Sequence, residues 1–87
     1  MIQRSDRFKV RYERDGGFLY DVQEDKTCVG NQTAMEILEF LKEKRDVAQV
    51  MEFLSTKYST DVIEKYRDQI ILFLKESLFN GVLIEDK

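Results

Sequence analysis

Phe8-Lys9-Val10-Arg11-Tyr12-Glu13-Arg14-Asp15-Gly16-Gly17-Phe18-Leu19-Tyr20-Asp21-Val22 is the stretch that decides the fold. Phe8, Val10 and Tyr12 alternate with Lys9, Arg11 and Glu13, the period-two pattern of a strand with one face on a core and one in water. Asp15-Gly16-Gly17 reads as a hairpin turn, because glycine accepts positive φ. Phe18, Tyr20 and Val22 then alternate with Leu19, Asp21 and Gln23 and predict a second strand. Glu24-Asp25-Lys26 reads as a tight turn. Thr27-Cys28-Val29, ended by Gly30, predicts a short third strand.

Beyond Gly30 the apolar period lengthens to that of a helix. Asn31 is a good N-cap, and Ala34, Ile37, Leu38 and Leu41 fall at i, i+3, i+4, i+7 on one face. Lys42-Glu43-Lys44-Arg45 breaks that pattern. Asp46 caps a second helix whose apolar face is Val47, Val50, Met51 and Leu54. Ser59-Thr60-Asp61 opens the longest helix, from about Asp61 to Asn80, with Gly81 at its C′ position and Val82-Leu83-Ile84 as a stub of strand. On this third helix Val62, Tyr66, Ile70, Phe73, Leu74 and Leu78 form one broad stripe. Leu72 and Phe79 lie outside it, among Lys65, Asp68, Gln69, Lys75 and Glu76. Either the helix is central and touches core on both sides, or it exposes an apolar strip beside polar residues, as a peptide groove does.

The predicted fold class is therefore α+β and winged-helix-like. A three-stranded antiparallel N-terminal sheet (about 7–30) precedes a three-helix bundle (about 31–80), in a single domain spanning 1–87. The length of 87 residues fits one domain. With 43% hydrophobic and 36% charged residues, the chain has enough apolar content for a packed core.

Charge and composition exclude several function classes. The net charge of −3 disfavours a dedicated nucleic-acid binder. The charge is uneven: Arg4, Arg7, Lys9, Arg11 and Arg14 outnumber Asp6, Glu13 and Asp15 in the first seventeen residues. A basic strand edge discourages edge-to-edge aggregation, and it also suits an acidic partner. Histidine is absent, so there is no ordinary base near neutral pH. Cys28 stands alone, without a partner for a disulfide, a zinc site or thiol activation. The carboxylate pairs Glu36/Glu39 and Asp61/Glu64 fall on solvated helix faces. No phosphate loop or dinucleotide fingerprint occurs. No catalytic residue, metal ligand or cofactor is expected, and the chain is expected to be no enzyme. No stretch reaches the length of a membrane span, and Met1-Ile2-Gln3-Arg4-Ser5-Asp6 is too polar for a signal peptide. The expectation is a cytoplasmic protein without membrane or nucleic-acid partners.

Read together, the ordered segments resemble the pyrroloquinoline quinone biosynthesis protein D family, the recognition modules of ribosomal peptide modification pathways. The resemblance runs from about Arg7 to Ile84. It rests on Phe8-Lys9-Val10-Arg11-Tyr12, on Phe18-Leu19-Tyr20 after Gly16-Gly17, and on Gly30-Asn31-Gln32-Thr33-Ala34-Met35-Glu36-Ile37-Leu38. Asp46-Val47-Ala48-Gln49-Val50 and Ile70-Ile71-Leu72-Phe73-Leu74 through Gly81-Val82-Leu83 complete it. Two departures stand out: Gln69 replaces the usual acidic residue before Ile70, and Glu43-Lys44 replaces an Asp-Gly after the first helix.

The resemblance implies a non-catalytic protein that binds the leader segment of a ribosomally synthesised precursor peptide. It implies delivery to a modifying enzyme, such as a radical S-adenosylmethionine protein or a leader peptidase. The leader would add as a strand to the edge at Lys26, Thr27, Cys28 and Val29. It would lie against Lys65, Asp68, Gln69, Leu72 and Phe73 of the third helix. Cys28 and Val29 point to opposite faces of the strand, and which of them faces the groove depends on register. Two other readings use the same elements. One is a winged-helix DNA-binding transcription regulator reading with Lys65, Arg67 and Lys75, opposed by Glu64, Asp68 and Glu76. The other is a homodimer paired through a strand edge.

Overall fold

The alternating segments pair as their register demands. The computed structural model describes residues 1–86. It contains β1 (Ile2–Arg4), β2 (Phe8–Glu13), β3 (Gly16–Asp21), β4 (Lys26–Asn31), α1 (Gln32–Phe40), α2 (Val47–Ser55), α3 (Thr60–Phe79) and β5 (Leu83–Glu85). The fold is α+β: a three-stranded antiparallel sheet in the order β2-β3-β4, with three helices. A second, two-stranded sheet joins β1 to β5, pairing Ile2 with Glu85 and Arg4 with Leu83.

Strand β1 lies outside the sequence expectation, which begins its strands near residue 7. It is held on both edges. Ile2 exchanges backbone bonds with Arg45 (2.7 and 2.9 Å), and the Arg4 N–H donates to the Leu41 carbonyl (2.7 Å), while β5 covers the other side. Ile2 is thereby buried in the core.

The β2–β3 hairpin turns on Arg14 and Asp15, not on the glycines, since Glu13 pairs with Gly16. The glycines serve packing instead. Gly17 pairs with Gly30 across β3 and β4, and Met35 of α1 lies over both. A Cβ on Gly17 would sit 2.3 Å from the Arg11 carbonyl oxygen and 2.7 Å from Met35 Cε. One on Gly30 would sit 2.7 Å from Met35 Sδ. The pair forms a slot that lets α1 approach the sheet. The face of β3 is also the reverse of the expected one: Leu19 is buried in the core, while Phe18 and Tyr20 are exposed and Val22 lies in the turn. Under α1 the inner side of β3 has room for Gly17 and Leu19, and the rings of Phe18 and Tyr20 are left outside.

Helix ends follow the sequence closely. The Asn31 side chain accepts from the Ala34 N–H (2.8 Å). Asp46 and Gln49 form a reciprocal capping box. Ser59 caps α3, and Gly81 takes φ +81° just past its end. The core gathers Leu38, Leu41, Val50, Leu54, Leu74 and Leu83 from the helices and β5, with Phe40 and Phe53 stacked at 4.3 Å beside it. Met35, absent from the expected apolar face of α1, is more buried than Ala34. Val47, expected in the core, is exposed.

One ion pair ties the turns together. Arg7 donates to both carboxylate oxygens of Asp21 (2.8 and 2.6 Å), and the Gln23 and Glu24 N–H groups donate to Oδ1 (2.9 and 3.3 Å). These donors, the Arg7 guanidinium first, hold the Asp21 carboxyl down at about 2. Because the folded value lies below the unfolded one, the stabilisation is complete above about pH 4 and is lost as pH falls toward 2. Asp21→Asn is expected to remove most of that acid-side loss, measured by urea unfolding at pH 7, 4 and 2.5. Gly17→Ala is expected to cost roughly 1–3 kcal/mol, read as a lower urea midpoint at unchanged slope.

Candidate functional site

Strand β4 is an edge strand that runs into α1 without a loop. Asn31 is both its last residue and the N-cap of the helix. The register fixes what the free edge offers. The Val22 N–H donates to the Arg7 carbonyl (3.1 Å), which makes Arg7 and Val22 a hydrogen-bonded pair one step beyond Phe8–Asp21. Antiparallel alternation then commits the backbone of Phe18 and Tyr20 to β2, and that of Gly17, Leu19 and Asp21 to β4. Their partners Gly30, Cys28 and Lys26 are satisfied within the sheet. The N–H and C=O groups of Thr27 and Val29 point outward from the edge.

The same register resolves the two faces of β4. Cys28 stands opposite Leu19 and shares the helix-facing side, with Lys26 and Gly30. Val29 stands opposite Phe18 on the outer side, with Thr27 opposite Tyr20. Cys28 is nevertheless exposed. The reason is that β4 packs on β3 and α1, whereas α3 packs on α2 and β5.

An apolar cleft of about 350 Å³ opens at the Asn31 end of this strand. Asn31, Thr33, Ala34 and Ile37 line one side, and Leu54 and Tyr58 form the floor. Val62, Ile63, Tyr66, Gln69, Ile70 and Phe73 of α3 form the far wall. The floor carries one polar relay: the Tyr58 hydroxyl donates to Glu36 Oε2 (3.0 Å), so the Thr33 hydroxyl, 3.3 Å away, donates to Tyr58. The cleft is thus largely apolar with a few fixed polar groups, the composition common to ligand-binding clefts.

A second cleft, lined by Tyr12, Glu13, Met35, Glu39, Phe53 and Lys57 among others, differs in character. Two pairs of its polar groups are bonded to each other, Tyr12 with Glu39 and Gln32 with Glu36. The Tyr12 hydroxyl donates to Glu39 and accepts from Arg4 Nη1 (3.1 Å). Burial first, then the bond to Glu39, raises the Tyr12 pKa. Among the described residues no group of three or more His, Cys, Asp or Glu could hold a metal ion, and no helix is long and apolar enough to cross a membrane.

Of the residues expected at the site, Thr27 and Val29 carry the free edge, and Gln69 and Phe73 line the cleft. Lys26 pairs with Glu24 (3.6 Å). Lys65, Asp68 and Leu72 are exposed and do not line the cleft; Leu72 and Phe79 sit on the side of α3 turned away from the core. The residues that the sequence reading placed in the core stripe instead divide. Ile70 and Leu74 are buried, while Val62 and Tyr66 are 40% and 42% exposed and wall the cleft. Tyr58 went unnoticed in the sequence, since it sits in the connection before α3, where no periodicity marks it.

No protein-family model and no curated protein matches the chain. A solved structure does: TbiB1 in complex with the TbiA(beta) leader peptide. It aligns over 98% of both chains with a TM-score of 0.78 at 19% sequence identity. The chain shares the fold of TbiB1. At this level of identity the likeness is one of architecture.

The division of the α3 stripe has a stability signature. Leu74→Ala should cost roughly 2–5 kcal/mol as a buried truncation. Tyr66→Ala should stay within about 0.5 kcal/mol, as a surface change does. Urea unfolding of the two variants checks the contrast.

Proposed function

We propose that this protein is a recognition module that binds the leader segment of a ribosomally synthesised precursor peptide. In this reading it adds the peptide as a fourth strand to β4. One observation carries the proposal: the strand edge whose Thr27 and Val29 backbone groups point outward ends at Asn31, and Asn31 lines an apolar cleft. Strand addition supplies affinity through main-chain hydrogen bonds and selectivity through pockets for alternate side chains. The edge offers the first and the cleft the second. The fold likeness to TbiB1, itself solved with a leader peptide, supports the same reading.

The roles divide by geometry. Thr27 and Val29 pair with the peptide backbone. Cys28, on the helix-facing side, stands opposite the peptide residue that turns toward the cleft. Tyr66, Gln69, Ile70 and Phe73 receive that side chain. Lys65, Asp68 and Leu72 flank the wall and meet residues that extend past the cleft. The module itself performs no chemistry: with no histidine and one unassisted cysteine, its task is to hold the leader while a separate modifying enzyme acts on the core of the peptide.

Titration of the isotope-labelled protein with the leader segment of a precursor peptide encoded nearby tests the proposal. Saturable amide shifts are expected at Thr27 to Asn31 and along Val62 to Phe73. Phe73→Ala is expected to weaken binding at least tenfold, about 1.4 kcal/mol. Cys28 offers an independent check. Paired residues on neighbouring strands are close enough for a disulfide. A peptide carrying a single cysteine should therefore be trapped at one position and not at the positions on either side. Trapping spread evenly along the peptide, or shifts confined to the opposite side of the sheet, would sink strand addition at β4.

A further inference from the structure

Alternation along a strand is strict, so a peptide added to β4 cannot place all its side chains in the cleft. Every second one must lie on the outer face of the sheet, beside Thr27 and Val29. That face is not a neutral polar surface. Val29 is 80% exposed, and behind it on β3 stand Phe18 and Tyr20, 39% and 36% exposed. Register places Val29 against Phe18, and Phe18 against Arg11, in one row across the sheet. The Arg11 side chain is drawn to Glu13 (3.1 Å) and the Tyr20 hydroxyl to Asp25 (2.6 Å), so the polar tips turn aside while the apolar bodies stay on the face. The row therefore ends, at the free edge, in an uncovered valine.

Edge strands that must stay unpaired carry charges on their exposed positions. The outer positions of β4 carry none: Thr27 and Val29 stand there, and Asn31, the third, turns its side chain to the Ala34 N–H. An edge furnished in this way fits a partner whose own outer side chain continues the apolar row.

We propose, building on the strand-addition reading above, that the outer face is a second specificity surface. It selects a peptide with an apolar β-branched or aromatic residue directly beside Val29. The preferred ligand is thus a two-faced segment: the residue opposite Cys28 turns to the cleft, and its neighbour opposite Val29 packs against Val29 and extends the row that runs back to Phe18. Cross-strand pairs of this kind are modest in strength, which makes the surface a discriminator rather than the main anchor.

Selection from a displayed random decapeptide library tests this, run on the unmodified protein, on Val29→Lys and on Phe73→Ala. The unmodified protein is expected to enrich apolar residues at two adjacent positions, one for each face. With Val29→Lys, the outer position should switch to Asp or Glu while the cleft position keeps its preference. A peptide selected by the unmodified protein should bind Val29→Lys about three- to fivefold more weakly. With Phe73→Ala, the cleft position should lose its preference and the outer one keep it. Identical peptides from the unmodified protein and Val29→Lys would overturn the outer-face surface while leaving strand addition intact. Enrichment of nothing by the folded, unmodified protein would overturn both.

Discussion

The junction at Asn31 constrains the rest of the molecule. This residue closes the β3–β4 ladder opposite Gly16 and, with its side chain on the Ala34 N–H, starts α1. With no loop between strand and helix, α1 has little freedom to choose its angle. It can lie on the sheet only if the sheet makes room, and Gly17 and Gly30 do so beneath Met35. From this follows the inversion of β3. Its inner side has space for glycine and Leu19, and the aromatic residues Phe18 and Tyr20 move to the outside. The cleft follows as well, because α1 docked against β3 leaves the helix-facing side of β4 with no cover from α3.

The residues legible in the sequence were those whose signal is local. Asn31, Asp46 and Ser59 cap their helices because a short polar side chain reaches a backbone N–H two or three residues on, a relation contained within four residues. Gly81 ends α3 for a similarly local reason. The α+β class, the three strands of the main sheet and the three helices could all be read from period alone. What failed depends on partners far away in sequence. Nothing in Ile2-Gln3-Arg4 announces a strand, since its two neighbours are β5 and the connection after α1. The glycines after Asp15 look like a turn until Met35 is placed above one of them. The face of β3 was misjudged because two aromatic rings outweigh one leucine in any count of apolar residues, while the decisive quantity is clearance under a helix.

The candidate site was half legible for the same kind of reason. The edge at Lys26 to Val29 follows from strand order, and the structure adds which backbone groups it presents. Of the expected helix wall, Gln69 and Phe73 line the cleft, whereas Leu72 lies about a third of a turn from Tyr66 and outside it. A broad apolar stripe contains both core and cleft residues, and hydrophobicity does not distinguish a residue that is covered from one that waits to be covered. Exposure does. Val62 and Tyr66 remain open beside buried Ile70 and Leu74 because α3 crosses the bundle toward β5 and leaves its first half without a strand to lean on.

The β1–β5 pairing has a consequence for the order in which the protein acquires its structure. Its two strands flank every other element, so the loop it closes spans all of them and carries the largest entropic penalty of any strand pairing here. During synthesis β1 leaves the ribosome before β2 to α3, and it must wait for β5, which follows them all. The main hairpins and α1 can assemble in the interval, with Ile2 left uncovered. The molecule is thus finished by a fastening step, and the half of the core that Ile2 and Leu83 share is completed after the half that carries the peptide edge.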